Sequence, residues 1–197
     1  MKKMILLSFL VLFIPAIVCG QDKVEAPVWN MGDKWKLTED VTIMVVKADE
    51  SSYAVKYLTA GGESILIFEK SSVNRLYIMD KDKRIPYEGR NKRLFNFPLD
   101  IGKSWKDKFI SKGALKEYTY LETFTVLGWE DIVVQAGKFK TVKIEYKQAN
   151  ADEPAKEGKL WYWYSPDVKY MVKCQYGKGD YWDAIYDWEL TSFELKK

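Results

Sequence analysis

Asp131-Ile132-Val133-Val134-Gln135-Ala136-Gly137-Lys138-Phe139-Lys140-Thr141-Val142-Lys143-Ile144-Glu145-Tyr146 reads as strand, tight turn, strand. Ile132 to Val134 is a short apolar run that Ala136-Gly137 breaks. Val142, Ile144 and Tyr146 then alternate with Thr141, Lys143 and Glu145. A period of two places one face in a core and the other in water, which predicts half of an antiparallel sheet. The block Leu160-Trp161-Tyr162-Trp163-Tyr164-Ser165-Pro166-Asp167-Val168 repeats the design with aromatics.

The same pattern extends in both directions. Val41 to Lys47 predicts a strand with Val41, Ile43 and Val45 on one face, and Tyr53, Val55 and Tyr57 continue the alternation after the polar turn Asp49 to Ser52. Gly61-Gly62 joins that strand to Ser64–Phe68, a hairpin signal because glycine takes positive φ. Val73 to Met79 predicts a further strand, closed by the charged turn Asp80 to Lys83. Residues 83–97 give no clear pattern and carry Pro86 with the basic group Arg90, Lys92 and Arg93. Tyr118 to Leu127 predicts a long strand leading into the central hairpin, and Ala149 to Gly158 reads as a polar surface loop. Val168, Tyr170, Val172, Cys174 and Tyr176 share one face of the next strand. Trp182, Ala184, Tyr186, Trp188 and Leu190 share one face of the last. Gly-x-x-Trp-Lys occurs twice, at Gly32–Lys36 and Gly102–Lys106, and marks two equivalent strand starts. The expectation is one all-β domain over 21–197 of roughly ten antiparallel strands. They form a curved sheet closing into an incomplete barrel or a two-layer meander.

The N-terminus bears on compartment. Lys2 and Lys3 precede an apolar run from Met4 to Val18, then Cys19, Gly20 and the polar Gln21-Asp22-Lys23. This is the layout of a secretory signal peptide over 1–20, too short for a membrane-spanning helix. Val18 and Gly20 suit cleavage before Gln21. Lipidation at Cys19 is the alternative, opposed by Val18 where bacterial lipoboxes carry Gly, Ala or Ser. Removing 1–20 takes away two lysines and no acid, so the formal charge falls from +3 to +1. A near-neutral chain of interspersed signs gives no electrostatic case for nucleic acid, and the mature chain holds no transmembrane segment. Export then means a periplasmic or extracellular protein, lipid-anchored if Cys19 is acylated.

Four motifs resemble the exported TapB-like β-domain family and, more loosely, the LolA/LolB-like half-barrels. They are Gly32-Asp33-Lys34-Trp35, Pro98-Leu99-Asp100-Ile101-Gly102-Lys103-Ser104-Trp105, Val134-Gln135-Ala136-Gly137-Lys138-Phe139 and Trp163-Tyr164-Ser165-Pro166-Asp167-Val168. Gln135 and Lys138 depart from the Pro and Thr of the family hairpin. The resemblance implies a curved antiparallel sheet or incomplete barrel and no catalytic residues.

The chain has no histidine, which removes Ser-His-Asp and Cys-His sites and histidine metal ligands. No metal or other cofactor is expected. Cys174 sits among Val168, Tyr170, Val172 and Tyr176 and reads as a buried core residue. Asp183, Asp187 and Glu189 form a carboxylate face that reads as a solvated strand surface, with glycoside hydrolysis as the alternative. Lys83, Arg84, Arg90, Lys92 and Arg93 read as a solvated loop.

The candidate ligand-binding residues are Trp161, Tyr162, Trp163 and Tyr164, with Trp182 and Trp188 of the last strand. Neighbours on a strand alternate, so one pair of the 161–164 block is buried against the sheet and the other lies opposite. That other pair has three readings. It lines a cavity for an apolar ligand, stacks on a sugar ring, or is covered by another segment of the chain. The expected function is a non-enzymatic exported protein that binds a hydrophobic or lipid-like molecule, or an envelope protein. The alternatives are a carbohydrate-binding or glycan-acting module and a structural component of a secreted assembly.

Overall fold

The computed structural model describes residues 23–112, 116–177 and 187–197, with backbone alone at 155–156. Every regular element among them is a β-strand. The first half contributes β1 (Lys23–Val24), β2 (Lys34–Leu37), β3 (Thr42–Ala48), β4 (Ser52–Thr59), β5 (Gly62–Glu69), β6 (Arg75–Asp80) and β7 (Lys83–Pro86). The second contributes β8 (Leu99–Asp100), β9 (Ser104–Lys112), β10 (Glu117–Val134), β11 (Gly137–Asn150), β12 (Glu153–Ser165), β13 (Tyr170–Tyr176) and β14 (Trp188–Glu194). β1 and β8 pair with each other; the other twelve form one antiparallel sheet in the order β7-β6-β5-β4-β3-β2-β14-β13-β12-β11-β10-β9.

That order has a simple origin. β2–β7 and β9–β14 are each a six-strand meander, in which every strand pairs with its sequence neighbour. The first strand of one meander pairs with the last strand of the other, β2 with β14. β7 and β9 are left as unpaired edges, so the sheet is curved but not closed: an incomplete barrel.

The repeated Gly-x-x-Trp-Lys starts both meanders with the same hydrogen bonds. Gly32 (φ 90°) and Gly102 (φ 83°) occupy the third position of a turn that demands positive φ. Asp33 N donates to the Asn30 carbonyl and Lys103 N to the Asp100 carbonyl, both at 3.0 Å. Gly32 N reaches the Val45 carbonyl and Gly102 N the Val126 carbonyl, both at 2.8 Å; Val45 N and Val126 N return bonds to the carbonyls of Asp33 and Lys103, both at 2.9 Å. The tertiary settings differ. Trp35 lies in the middle of the sheet at 0% exposure, whereas Trp105 is half-buried on edge strand β9.

Asp33, fully buried, closes the first turn. One oxygen accepts from Asn30 N at 2.9 Å and the other from Lys196 N at 2.7 Å, which ties the C-terminus to β2. The indoles of Trp29 and Trp35 donate to the carbonyls of Lys169 (2.9 Å) and Val168 (2.8 Å). These bonds fasten the start of one meander to the β12–β13 turn of the other.

The central hairpin turns at Gln135-Ala136, one residue earlier than expected, with Val134 opposite Gly137. The expected polar loop over Ala149–Gly158 is a correction. β11 runs to Asn150 and β12 starts at Glu153, so Ala151-Asp152 alone turns the chain. Asp152, Glu153 and Glu157 are exposed, but two polar residues at the end of β11 are interior. Gln148 and Asn150 are buried, Gln148 meets the Tyr146 hydroxyl at 2.8 Å, and Asn150 Oδ1 accepts from Asp152 N at 2.9 Å. A buried polar group satisfied within the fold looks the same in sequence as a solvated one.

Residues 83–97, unpatterned in sequence, contribute β7 and then, over 87–98, a strap between the two halves. Arg75 N of β6 donates to the Lys92 carbonyl at 3.2 Å, and Trp105 Nε1 of β9 donates to the Arg93 carbonyl at 3.0 Å. Leu94 and Phe95 drop from the strap into the core. The main core runs continuously from Trp29, Trp35 and Val55 through Leu94 and Phe95 to Ile144, Tyr164 and Leu190.

Candidate functional site

The strap leaves part of the sheet's interior unfilled. A cavity of about 340 Å³ lies beside Leu94, between the two meanders. β2 and β3 supply Leu37 and Ile43 with Val41 before β3; β4 supplies Tyr57 and β6 Arg75. Across from them stand Tyr162, Tyr170, Met171 and Trp188 of β12 to β14. The strap adds Asn91. Thr38 and the exposed Glu39 stand at its rim. The location follows from the pairing. Among the described residues β13 and β14 pair at Lys173–Glu189 and Cys174–Trp188, and β14–β2 is interrupted by a bulge between Leu190 and Ser192.

The walls are apolar and the base is polar. Tyr57 and Tyr170 hydroxyls lie 3.3 Å apart. Asn91 Nδ2 donates to the Tyr162 hydroxyl at 2.7 Å, while Asn91 N donates to Glu122 Oε1 at 3.0 Å. Burial pushes the Tyr162 and Tyr170 phenols above their ordinary range, so both remain neutral hydroxyls at physiological pH. Arg75 reaches this base from β6. Its Nη1 donates weakly to the Tyr87 hydroxyl (3.4 Å) and the Arg90 carbonyl (3.3 Å), and the guanidinium lies 5.3 Å from the Tyr87 ring centroid. Arg75 also borders a cleft of about 330 Å³ on the other side of the strap, lined by Glu69, Asn74, Phe95, Phe97 and Trp105 among others.

The candidate ligand residues do not converge. Tyr162 and Trp188 line the cavity. Tyr164 lies on the same face of β12 as Tyr162, 1% exposed, and its ring meets Phe95 (5.4 Å) and Phe97 (5.7 Å) of the strap edge-on. A segment of the same chain covers it. Trp161 and Trp163 lie on the opposite face. There Lys143 and Lys173 approach the Trp163 ring at 4.7 and 5.2 Å, Lys143 and Lys159 each approach Trp161 at 5.7 Å, and Trp163 Nε1 donates to Glu130 at 3.1 Å. Lysine stems and charges cover these indoles. Trp182 and Cys19 lie outside the described residues, as does Asp183. Asp187 accepts from Tyr176 N at 2.6 Å, and together with Glu189 borders a second, shallower hollow beside Trp188.

Arg75, Tyr57 and Asn91 carried no signal in the sequence. Tyr57 looked like one more alternating aromatic, and Arg75 and Asn91 sat among ordinary surface-type residues. An arginine in the second position after an αL residue (Val73, φ 48°) is no recognisable motif. Cys174 is 1% exposed, and burial pushes its thiol up to about 12, in keeping with a core residue. Among the described residues no group of three or more acidic or cysteine side chains is arranged to hold a metal ion, and no helix is long and apolar enough to cross a membrane.

Fold and cavity together define an all-β protein with an open twelve-stranded antiparallel sheet folded around a ligand-sized space. No family model and no curated protein sequence matches the chain. Among solved structures the chain is similar to the following three. One is the hypothetical lipoprotein YmcC of Escherichia coli K12, with TM-score 0.46 and 12% identity over 87% of this chain and 89% of that one. Another is a protein of Parabacteroides distasonis named as a lipoprotein, with TM-score 0.46 and 15% identity over 88% of this chain and 100% of that one. The third is a Bacteroides fragilis protein described as exported and YmcC-like in fold, with TM-score 0.43 and 13% identity over 87% and 99%. None of these TM-scores reaches 0.5, so no property of theirs is carried to this chain. The resemblance to TapB-like domains rests on the four motifs alone.

Proposed function

We propose that this is a non-enzymatic exported protein that binds a small, largely apolar molecule in the cavity between its two meanders. The observation that carries the reading is the cavity itself. Leu37, Val41, Ile43, Leu94, Met171 and Trp188 present hydrocarbon and indole surface, while a few hydroxyls and one cation converge at the base. Mostly apolar walls with a few placed polar groups are the usual composition of a small-molecule site, and about 340 Å³ is at the small end of the range. Export rests on the N-terminal sequence: Lys2 and Lys3, the apolar run to Val18, and the polar residues from Gln21. The chain has no histidine, which removes histidine-based nucleophilic sites and histidine metal ligands.

Native mass spectrometry of the processed protein, purified without detergent from cells expressing the full chain, tests both parts. Extra mass released on unfolding supports the cavity reading. A bare polypeptide that also takes up no added hydrocarbon ligand sinks it. A chain beginning at Gln21 fits soluble export; a covalent acyl increment on Cys19 would make the protein lipid-anchored. A chain still carrying residues 1–20 argues against export.

A further inference from the structure

We infer that the occupant of the cavity is anionic: a single-chain amphiphile whose carboxylate is held by Arg75, with its hydrocarbon tail along Leu37, Val41, Ile43 and Met171. The inference rests on the cavity reading above and adds the charge and the orientation of the ligand.

Charge accounting carries it. Arg75 lines the polar base. Arg90 also acts on Tyr162 from beside it, but its charge is coupled to the buried Glu122, whereas among the described residues Arg75 forms no ion pair with a carboxylate. Its neighbours there are neutral oxygens: the Tyr87 hydroxyl at 3.4 Å, the Arg90 carbonyl at 3.3 Å and the Tyr57 hydroxyl. The bonds to Tyr87 and Arg90 are both at the long end for N–H···O, and both use Nη1. A guanidinium carries five donors in a planar fork suited to two carboxylate oxygens, and remains charged in any environment. Holding that charge beside Leu94, Ile43 and Met171 without a counter-ion costs free energy, which a bound carboxylate offsets with charge-assisted bonds. The acidic group bordering the cavity, Glu39, is exposed at the rim, away from the Tyr57–Tyr170–Tyr162 base. The Tyr57 and Tyr170 hydroxyls lie 3.3 Å apart, and burial holds the Tyr170 proton on, so the pair has one O–H left to donate to a second oxygen.

Size restricts the tail. A space of about 340 Å³ suits one short chain and not a two-chain lipid. Both ends of the cavity are defined: Arg75 and the tyrosines at the base, Thr38, Glu39 and Trp188 towards the outside. A negative head at Arg75 points the tail at Leu37, Val41 and Trp188.

Three ten-carbon probes separate the possibilities by isothermal titration and Trp188 fluorescence, read against Trp188→Phe. They are decanoate, decanol and decylamine, tested with the processed full-chain protein at pH 7. Decanoate is expected to bind at least tenfold tighter than decanol, and decylamine weakest. Arg75→Gln is expected to remove the preference for decanoate while leaving decanol binding within about twofold. Equal binding of decanoate and decanol to the unmutated protein would overturn the charge assignment and leave the cavity reading standing. Failure of all three to bind would overturn the cavity reading itself. An unchanged decanoate preference in Arg75→Gln would also overturn the assignment. The wild-type comparison decides even if that variant does not fold.

Discussion

Trp35 and Trp105 occupy the same place in the same five-residue motif, and the structure predicts that removing them costs very different amounts. Trp35 is 0% exposed, stacks on Tyr170 at 4.9 Å, meets Trp29 at 5.4 Å, and donates to the Val168 carbonyl at 2.8 Å. Truncating a core tryptophan to alanine costs about 3–5 kcal/mol in transfer and cavity terms. The orphaned Val168 carbonyl adds ~1 kcal/mol. Trp105 is half-buried on the edge strand, stacked on Phe124 at 5.3 Å, and its indole bond to the Arg93 carbonyl is solvent-exposed. Its loss removes roughly half as much surface from a site water can refill, or about 1–2 kcal/mol. For a chain of this size ~1 kcal/mol shifts Tm by about 2–4 °C, so Trp35→Ala is expected to melt at least about 8 °C lower and Trp105→Ala no more than about 8 °C lower. Thermal unfolding followed by far-ultraviolet circular dichroism gives both melting temperatures, and urea slopes check for a common unfolded state. Equal losses, or a larger loss at Trp105, would refute the placement of one motif at the centre of the sheet and the other at its edge.

Three further outcomes follow from buried or strained groups. Burial raises the Glu122 carboxyl above its ordinary range, against the bonds from Tyr146 and Asn91 that favour the anion, and its Oε2 is buried without a partner. A raised folded-state value means stability is fullest below the unfolded pKa of about 4.3 and falls as pH rises through the folded one. Glu122→Gln should therefore flatten the urea-midpoint profile from pH 4 upward and raise stability at pH 7 relative to wild type; an unchanged profile would show that Glu122 does not carry that loss. Cys174, with its thiol near 12, should resist a thiol reagent at pH 8 in the folded protein and react in urea; prompt labelling of the folded protein would place the thiol elsewhere. Gly102→Ala introduces a Cβ into open space at φ 83°, so its cost is backbone strain alone, about 1 kcal/mol. Gly32→Ala adds contacts at 3.1 Å with the Lys196 side chain and should cost at least as much, and a neutral result at both would mean the turns relax.

Much of the strand pattern was legible because a sheet with one buried face writes itself as alternation. Val142, Ile144 and Tyr146 against Lys143 and Glu145 is such a case, whereas Thr141, read with the wet face, is fully buried and donates its hydroxyl to the Glu130 carbonyl. Glycine signals placed the hairpins to within a residue, because φ near 134° at Gly137 is open to few other side chains. The alternation at 161–164 likewise separates Tyr162 and Tyr164 from Trp161 and Trp163. The segment with no period, 83–97, gave nothing, although it carries Leu94 and Phe95 into the core and Asn91 to the cavity. The loop read over Ala149–Gly158 misled, because Asn150 is satisfied inside the protein and the exposed Asp152 and Glu153 sit at a two-residue turn and the start of β12.

By itself the sequence determined the local rules: all-β, antiparallel, hairpin after hairpin, with two matching strand starts at Gly32 and Gly102. Those follow from side-chain period and backbone freedom, which act within a few residues. The tertiary structure decided that β2 pairs with β14, that the free edges are β7 and β9, and that a strap crosses between the two halves. It also decided that Arg75, Tyr57, Tyr162 and Tyr170 meet around one cavity. Pairing between residues 37 and 190, or a hydroxyl contact between 57 and 170, depends on how whole meanders pack to bury their apolar faces. No short window of sequence carries that information.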